Sequence, residues 1–119
     1  MGLSVSTKPS DDLVVLSLAG ELDIYTVGGF RQESDKIDPA ATQVVVDLTD
    51  VSLLDSSGLG ALVSLLNRAR AAGGVLGIIC PQRHLRRVFE ITGLRRAFVF
   101  GDDLDGVRAA LAEAATSAA

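Results

Sequence analysis

The spacing of apolar and polar positions changes along the chain, and each change marks an element. Leu3 to Thr7 reads as a short strand and Lys8-Pro9-Ser10-Asp11-Asp12 as a turn. Leu13 to Ala19 is a second strand, so the two are predicted to pair as an antiparallel hairpin. Gly20-Glu21-Leu22-Asp23 follows as a loop. A helix is predicted over Val27 to Ile37, with Phe30 and Ile37 on one side and Arg31, Glu33 and Lys36 on others. Asp38-Pro39 ends it, because the residue before a proline is pushed out of the helical region. Val44 to Leu48 is almost continuously apolar, the mark of a strand buried on both faces.

From Ser57 to Ala72 the period returns to that of a helix, with Leu59, Leu62, Val63 and Leu66 on one stripe and Gly73-Gly74 as the stop. Val75 to Cys80 reads as another buried strand, and Pro81 suits the first turn of the next helix. That helix turns Leu85, Val88 and Phe89 inward and halts near Gly93. Ala97 to Phe100 gives a last short strand, and Asp102 and Asp103 open a C-terminal helix carrying Leu104, Val107 and Leu111. The tail from Ala114 to Ala119 lacks bulky anchors and is expected to fray. Strands alternating with helices after residue 40 imply right-handed parallel crossovers. The expectation is an α/β fold: a mixed sheet with an N-terminal antiparallel hairpin and parallel strands, packed against about four helices. Residues 1–119 read as one domain.

Composition narrows the function classes. Of 119 residues, 48% are hydrophobic but only 4% aromatic, so an aliphatic core is expected. The net charge of −4 argues against direct nucleic-acid binding, which uses a basic footprint. The single cysteine, Cys80, forms no internal disulfide and reads as a small buried apolar residue. The first residues lack a basic start followed by an apolar run, and no stretch approaches the ~18 apolar residues of a membrane span. Gly2 with Ser6 loosely fits an N-myristoylation pattern that is too short to carry a prediction. A cytoplasmic protein without a membrane partner is expected.

The chemistry concentrates in Asp55-Ser56-Ser57-Gly58-Leu59-Gly60, where a strand gives way to a helix. Free backbone N–H groups and the positive end of the helix dipole make such a point suitable for an anionic group. Catalytic readings fit poorly. Asp55 occupies the first glycine of a G-x-S-x-G frame centred on Ser57. His84 is the only histidine and nothing orients it, while Lys8 and Lys36 are the only lysines. One Cys and one His do not build a usual zinc site, and Gly58 with Gly60 lacks the Gly-Lys-Ser/Thr of a Walker cradle. No enzyme activity, metal or cofactor is expected. Two readings of the serine pair stay open on the residues alone: Asp55, Ser56 or Ser57 caps the helix, or a hydroxyl there accepts a phosphate. Arg83, Arg86, Arg87, Arg95 and Arg96 form one basic cluster, either a solvated helix face or a patch for an acidic or anionic partner.

Gly20-Glu21-Leu22-Asp23, Val44-Val45-Val46-Asp47-Leu48 and Leu54-Asp55-Ser56-Ser57-Gly58-Leu59-Gly60 together resemble a STAS domain. More narrowly, they resemble the single-domain anti-sigma factor antagonists of bacteria. Val88-Phe89-Glu90-Ile91-Thr92-Gly93-Leu94, before Phe98-Val99-Phe100, fits the same family. The resemblance implies a partner switch. The unphosphorylated chain would bind an anti-sigma factor that is also a serine kinase, and so free the sigma factor. Phosphorylation would end binding, and a PP2C-type phosphatase would restore it. Carried onto this sequence, the resemblance makes Ser56 the phosphoacceptor, with Ser57 the second choice and the expected cap. Asp23 becomes the acidic loop residue near the site and, with Asp55, Ser57, Gly58, Leu59 and Gly60, part of the partner-binding surface. A STAS scaffold or transport-associated subunit that is never phosphorylated is the alternative within the same fold.

Overall fold

The computed structural model describes residues 2–117. Its elements run β1 (Leu3–Ser10), β2 (Leu13–Leu22), α1 (Val27–Ser34), β3 (Gln43–Leu54), α2 (Ser56–Ala71), β4 (Leu76–Ile79), α3 (Arg83–Ile91), β5 (Val99–Gly101) and α4 (Leu104–Ser117). The strands form one five-stranded sheet in the order β1-β2-β3-β4-β5. β1 pairs antiparallel with β2, and every later pairing is parallel. This is the mixed sheet and four helices that the hydrophobic pattern predicts.

The period of two in β3 divides the core between the two faces of the sheet. Val44, Val46 and Leu48 join the larger cluster, with Phe30 of α1, Leu62 and Leu66 of α2, and Leu85 and Phe89 of α3. Val45 points the other way, to Leu13, Val15, Ile79 and Val107 of α4. Burial on both faces is the reason β3 and β4 read as nearly unbroken apolar runs. The core is mainly aliphatic, yet Phe89 packs edge-to-face on Phe98 and Phe100, with ring centroids 5.4 and 5.0 Å apart.

Several boundaries differ from the sequence reading, each for a physical reason. β2 continues to Leu22 through the predicted loop. Gly20, at φ +120°, carries the register shift there, and a Cβ on it would lie 2.1 Å from the Gly2 carbonyl oxygen. β3 continues past Leu48 to Leu54, because Val51 and Leu54 stay buried while Thr49, Asp50, Ser52 and Leu53 face out. β1 reaches Ser10 and holds Pro9, which an edge strand tolerates. α1 stops at Ser34, short of Ile37. Pro81 lies outside α3, which opens at Arg83 after Gln82 and so does not use the proline in its first turn. The Gln82 side-chain amide instead reaches the carbonyls of Leu48, Thr49 and Val51 at 2.6 to 2.9 Å, fastening the start of α3 to the extension of β3. α4 remains helical to Ser117, beyond the point where fraying is expected, and Ala118 and Ala119 lie outside the described residues. Among the described residues no helix is long and apolar enough to cross a membrane.

Candidate functional site

β3 ends at Leu54 and α2 begins at Ser56, so Asp55 alone makes the turn. It is extended, with φ −100° and ψ −177°, which is the geometry of an N-cap residue. Its Oδ1 accepts the Gly58 N–H at 3.0 Å, which satisfies one of the free donors of the first helical turn. The expectation that Ser57 caps the helix is therefore corrected: a carboxylate at position 55 already holds the cap. The same side chain does a second job. Asp55 Oδ2 accepts the Ile24 N–H at 3.1 Å, and the Asp55 N–H donates to the Leu22 carbonyl at 3.2 Å. One aspartate thus joins the loop after β2 to the start of α2.

That loop is folded on Asp23. Its Oδ1 accepts the N–H groups of Tyr25 at 2.9 Å and Thr26 at 3.1 Å, and Thr26 Oγ1 donates to the Glu21 carbonyl at 2.7 Å. The Asp23 carboxylate is spent within its own loop, while the loop as a whole lies against Asp55. Turned this way, the loop presents Ile24 and Tyr25 outward, 63% and 92% exposed.

Ser56 is exposed on the first turn of α2, and Ser57 is half-buried. The two glycines of the run differ. A Cβ on Gly58 would meet the Leu22 carbonyl oxygen at 2.6 Å and Leu54 Cδ1 at 2.9 Å, so this residue is a packing point facing inward. Gly60 has open space, with nothing within 4 Å of a Cβ. Leu59 is buried in the core at 6% exposure. Gly58 and Leu59 are therefore withdrawn from the expected partner-binding surface, since both face the sheet. Ser56, the outer edge of Ser57 and Gly60 remain on it.

Three apolar residues that the sequence reading passed over stand exposed around the same turn. Ile24 is bonded through its backbone to the residue before Ser56, Tyr25 follows it, and Leu53 stands 43% exposed on the other side of the turn. A signal for Leu53 was present in the sequence. A strand buries only every second residue on one face, so the pair Leu53-Leu54 cannot both enter the same core.

A family model described as STAS domain matches residues 4–114, which include every element of this site. The chain belongs to the STAS domain family. Two curated relatives of this STAS domain are anti-sigma-B factor antagonists. The anti-sigma-B factor antagonist of Bacillus subtilis (strain 168) is 30% identical over 95 residues, spanning 80% of this chain and 87% of that protein. The anti-sigma-B factor antagonist of Staphylococcus epidermidis is 34% identical over 96 residues, 80% of this chain and 89% of that protein. Among solved structures, an anti-sigma factor antagonist from Mycobacterium paratuberculosis superposes with a TM-score of 0.83 at 25% identity, covering 92% of this chain and 93% of the other.

The remaining reactive side chains of this STAS domain lie elsewhere. Cys80 is fully buried, and burial pushes its thiol pKa up, with the Arg86 charge opposing. His84 is exposed, and its Nε2 lies 3.2 Å from the Ser52 carbonyl. The basic cluster separates into roles. Arg86 donates to the Cys80 carbonyl at 2.7 Å, pairs with Asp102 at 3.0 Å and lies over the Phe100 ring, so it is a structural residue. Arg83, Arg87, Arg95 and Arg96 are exposed.

Proposed function

We propose that this STAS domain is an anti-sigma factor antagonist whose state is set by phosphorylation of Ser56. Unphosphorylated, it binds an anti-sigma factor that is also a serine kinase, through Ser56 and Gly60 with the apolar rim of Ile24, Tyr25 and Leu53. The sigma factor is thereby released. Phosphate on Ser56 ends that binding, and a PP2C-type phosphatase restores it. The observation that carries the reading is the division of labour at the turn. Asp55 supplies the cap, so the neighbouring Ser56 hydroxyl has no capping duty and stands exposed where a helix N-terminus tolerates an anion.

Phosphate acts here mainly by desolvation. It adds about −1.5 to −2 charges at pH 7. That charge and its water shell would have to be stripped against a rim of exposed apolar side chains, and a loss of about 1.4 kcal/mol already weakens binding tenfold. Intact-mass spectrometry after incubation with ATP and candidate anti-sigma kinases tests the proposal, with fragment mapping to separate Ser56 from Ser57. One phosphate on Ser56, absent without kinase, is the expected result. No phosphate with any kinase that binds the chain supports the unphosphorylated scaffold instead, and ATP turnover without kinase would point to an enzyme.

A further inference from the structure

We propose that the outer face of α3 extends the docking surface past Ser56 and takes an acidic segment of the same protein partner. The proposal rests on reading the chain as a partner-binding regulator. α3 spends its apolar side on the core, with Leu85 and Phe89 at 1% and 0% exposure, so Arg83, His84 and Arg87 are left outside. These three, with Arg86 and Glu90, line an open depression of about 490 Å³. Among the described residues neither Arg83 nor Arg87 forms a salt bridge. A chain of net charge −4 thus carries on α3 two exposed arginines outside any ion pair, with Glu90 the one carboxylate lining the depression beside them.

That face adjoins the site. His84 Nε2 meets the Ser52 carbonyl at 3.2 Å, and the exposed Leu53 lies between Ser52 and the Asp55-Ser56 turn. A partner seated on Ser56 and Leu53 that extends back along the end of β3 meets α3 at His84. The chemistry favours a protein carboxylate cluster over other anions. A bilayer requires a continuous apolar helix face to insert, and on α3 Leu85 and Phe89 are buried against the sheet, leaving Ile91 at the helix end as a lone exposed apolar side chain. A free nucleotide requires an enclosed pocket with convergent polar groups, and this depression is open, with Arg83, His84, Arg87 and Glu90 all exposed. Exposed arginines facing a complementary acidic segment act mainly on encounter, raising the association rate in a salt-dependent way.

The test measures association and dissociation rates between the unphosphorylated chain and the anti-sigma kinase that modifies it, at low and high salt. The double variant Arg83→Glu/Arg87→Glu is compared with Lys8→Glu/Lys36→Glu, which makes the same change in net charge on residues away from α3. The first is expected to slow association about tenfold at low salt, with dissociation nearly unchanged and the difference shrinking at high salt. The second is expected to stay within about twofold of the native chain. Equal slowing by both variants, or no slowing by the first, overturns the proposal. So does native chain that pellets with phosphatidylglycerol vesicles, or binds ATP alone, through Arg83 and Arg87 while its kinase association is unaffected by their reversal. If Ser56→Asp abolishes kinase binding but the arginine reversal leaves the rate intact, this inference alone fails. If no anti-sigma kinase binds the native chain, the functional reading fails and this one with it.

Discussion

Gly58 and Gly60 lie two residues apart in one helix, yet a methyl group has opposite effects on them. At Gly58 it would strike the Leu22 carbonyl oxygen at 2.6 Å, so Gly58→Ala is expected to destabilise by about 1–3 kcal/mol in urea unfolding. At Gly60 it meets nothing within 4 Å, and removing the glycine's backbone freedom should stabilise by about 0.5–1 kcal/mol. The serines and their aspartate sort in the same way. Asp55→Ala removes the cap and should cost about 0.5–2 kcal/mol, with faster amide exchange at Ile24, whereas Ser57→Ala should stay within about 0.5 kcal/mol. A Ser57→Ala loss as large as that of Asp55→Ala would return the cap to the serine. Cys80 gives a pH signature. Burial raises its native pKa above the unfolded value of about 8.5. Below that pH the thiol contributes no pH dependence, because both states are protonated. Above it the unfolded chain loses the proton first, so stability falls as pH rises toward the native pKa. Comparing the native chain with Cys80→Ala at neutral and alkaline pH isolates the effect, and an identical decline in both would refute it.

At the scale of elements, the sequence was most legible where burial is simplest. β3 and β4 are buried on both faces, and α2 carries a regular apolar stripe, so all three were read with the right type. The errors fall where one residue serves two roles. Gly20-Glu21 looks like a turn, but it is a strand irregularity whose glycine admits the Gly2 backbone, and Leu22 beyond it is fully buried. After Leu48 only every third residue, Val51 and Leu54, is buried, so the half of β3 that leads to Asp55 lacks the period of a strand and lies beyond the predicted one. The helix start at Ser56 was legible as a place for an anion, but the division between Asp55 and the serines was not. Three acceptable capping residues stand in a row, and only the backbone geometry selects among them. The apolar rim was missed because its two sides come from β3 and from the loop before α1, which only the parallel β2–β3 pairing brings together. That rim makes its own prediction. Tyr25, 92% exposed, contributes little to folding, so Tyr25→Ala should leave unfolding unchanged while weakening kinase binding about tenfold or more. Isothermal titration alongside thermal unfolding would separate these, and a variant that loses stability but not affinity would remove Tyr25 from the interface.

For the whole molecule, the question is whether phosphate changes the fold or only its surface. The end of β3 stays paired with β2 as far as Leu22 and Leu54, and Leu54, Leu59 and Leu62 anchor both sides of the turn in the larger core. A charge on Ser56 is favoured by the helix N-terminus, by about 0.3–1 kcal/mol, and opposed by the adjacent Asp55 carboxylate. These terms act against each other and neither reaches the core. The phosphorylated chain and Ser56→Asp are therefore expected to melt within about 4 °C of the native protein, since 1 kcal/mol shifts a domain of this size by only a few degrees. Amide shift changes should stay within the 22–26 loop and the 53–60 turn, the residues tied together by Asp55. Kinase affinity, by contrast, should fall more than tenfold. Amide spectra and calorimetry on the same phosphorylated sample decide the matter. Shifts spreading across β4 and α4 would mean that the switch works through the sheet, while a melting point and an affinity that both stay fixed would mean that Ser56 is not the switch.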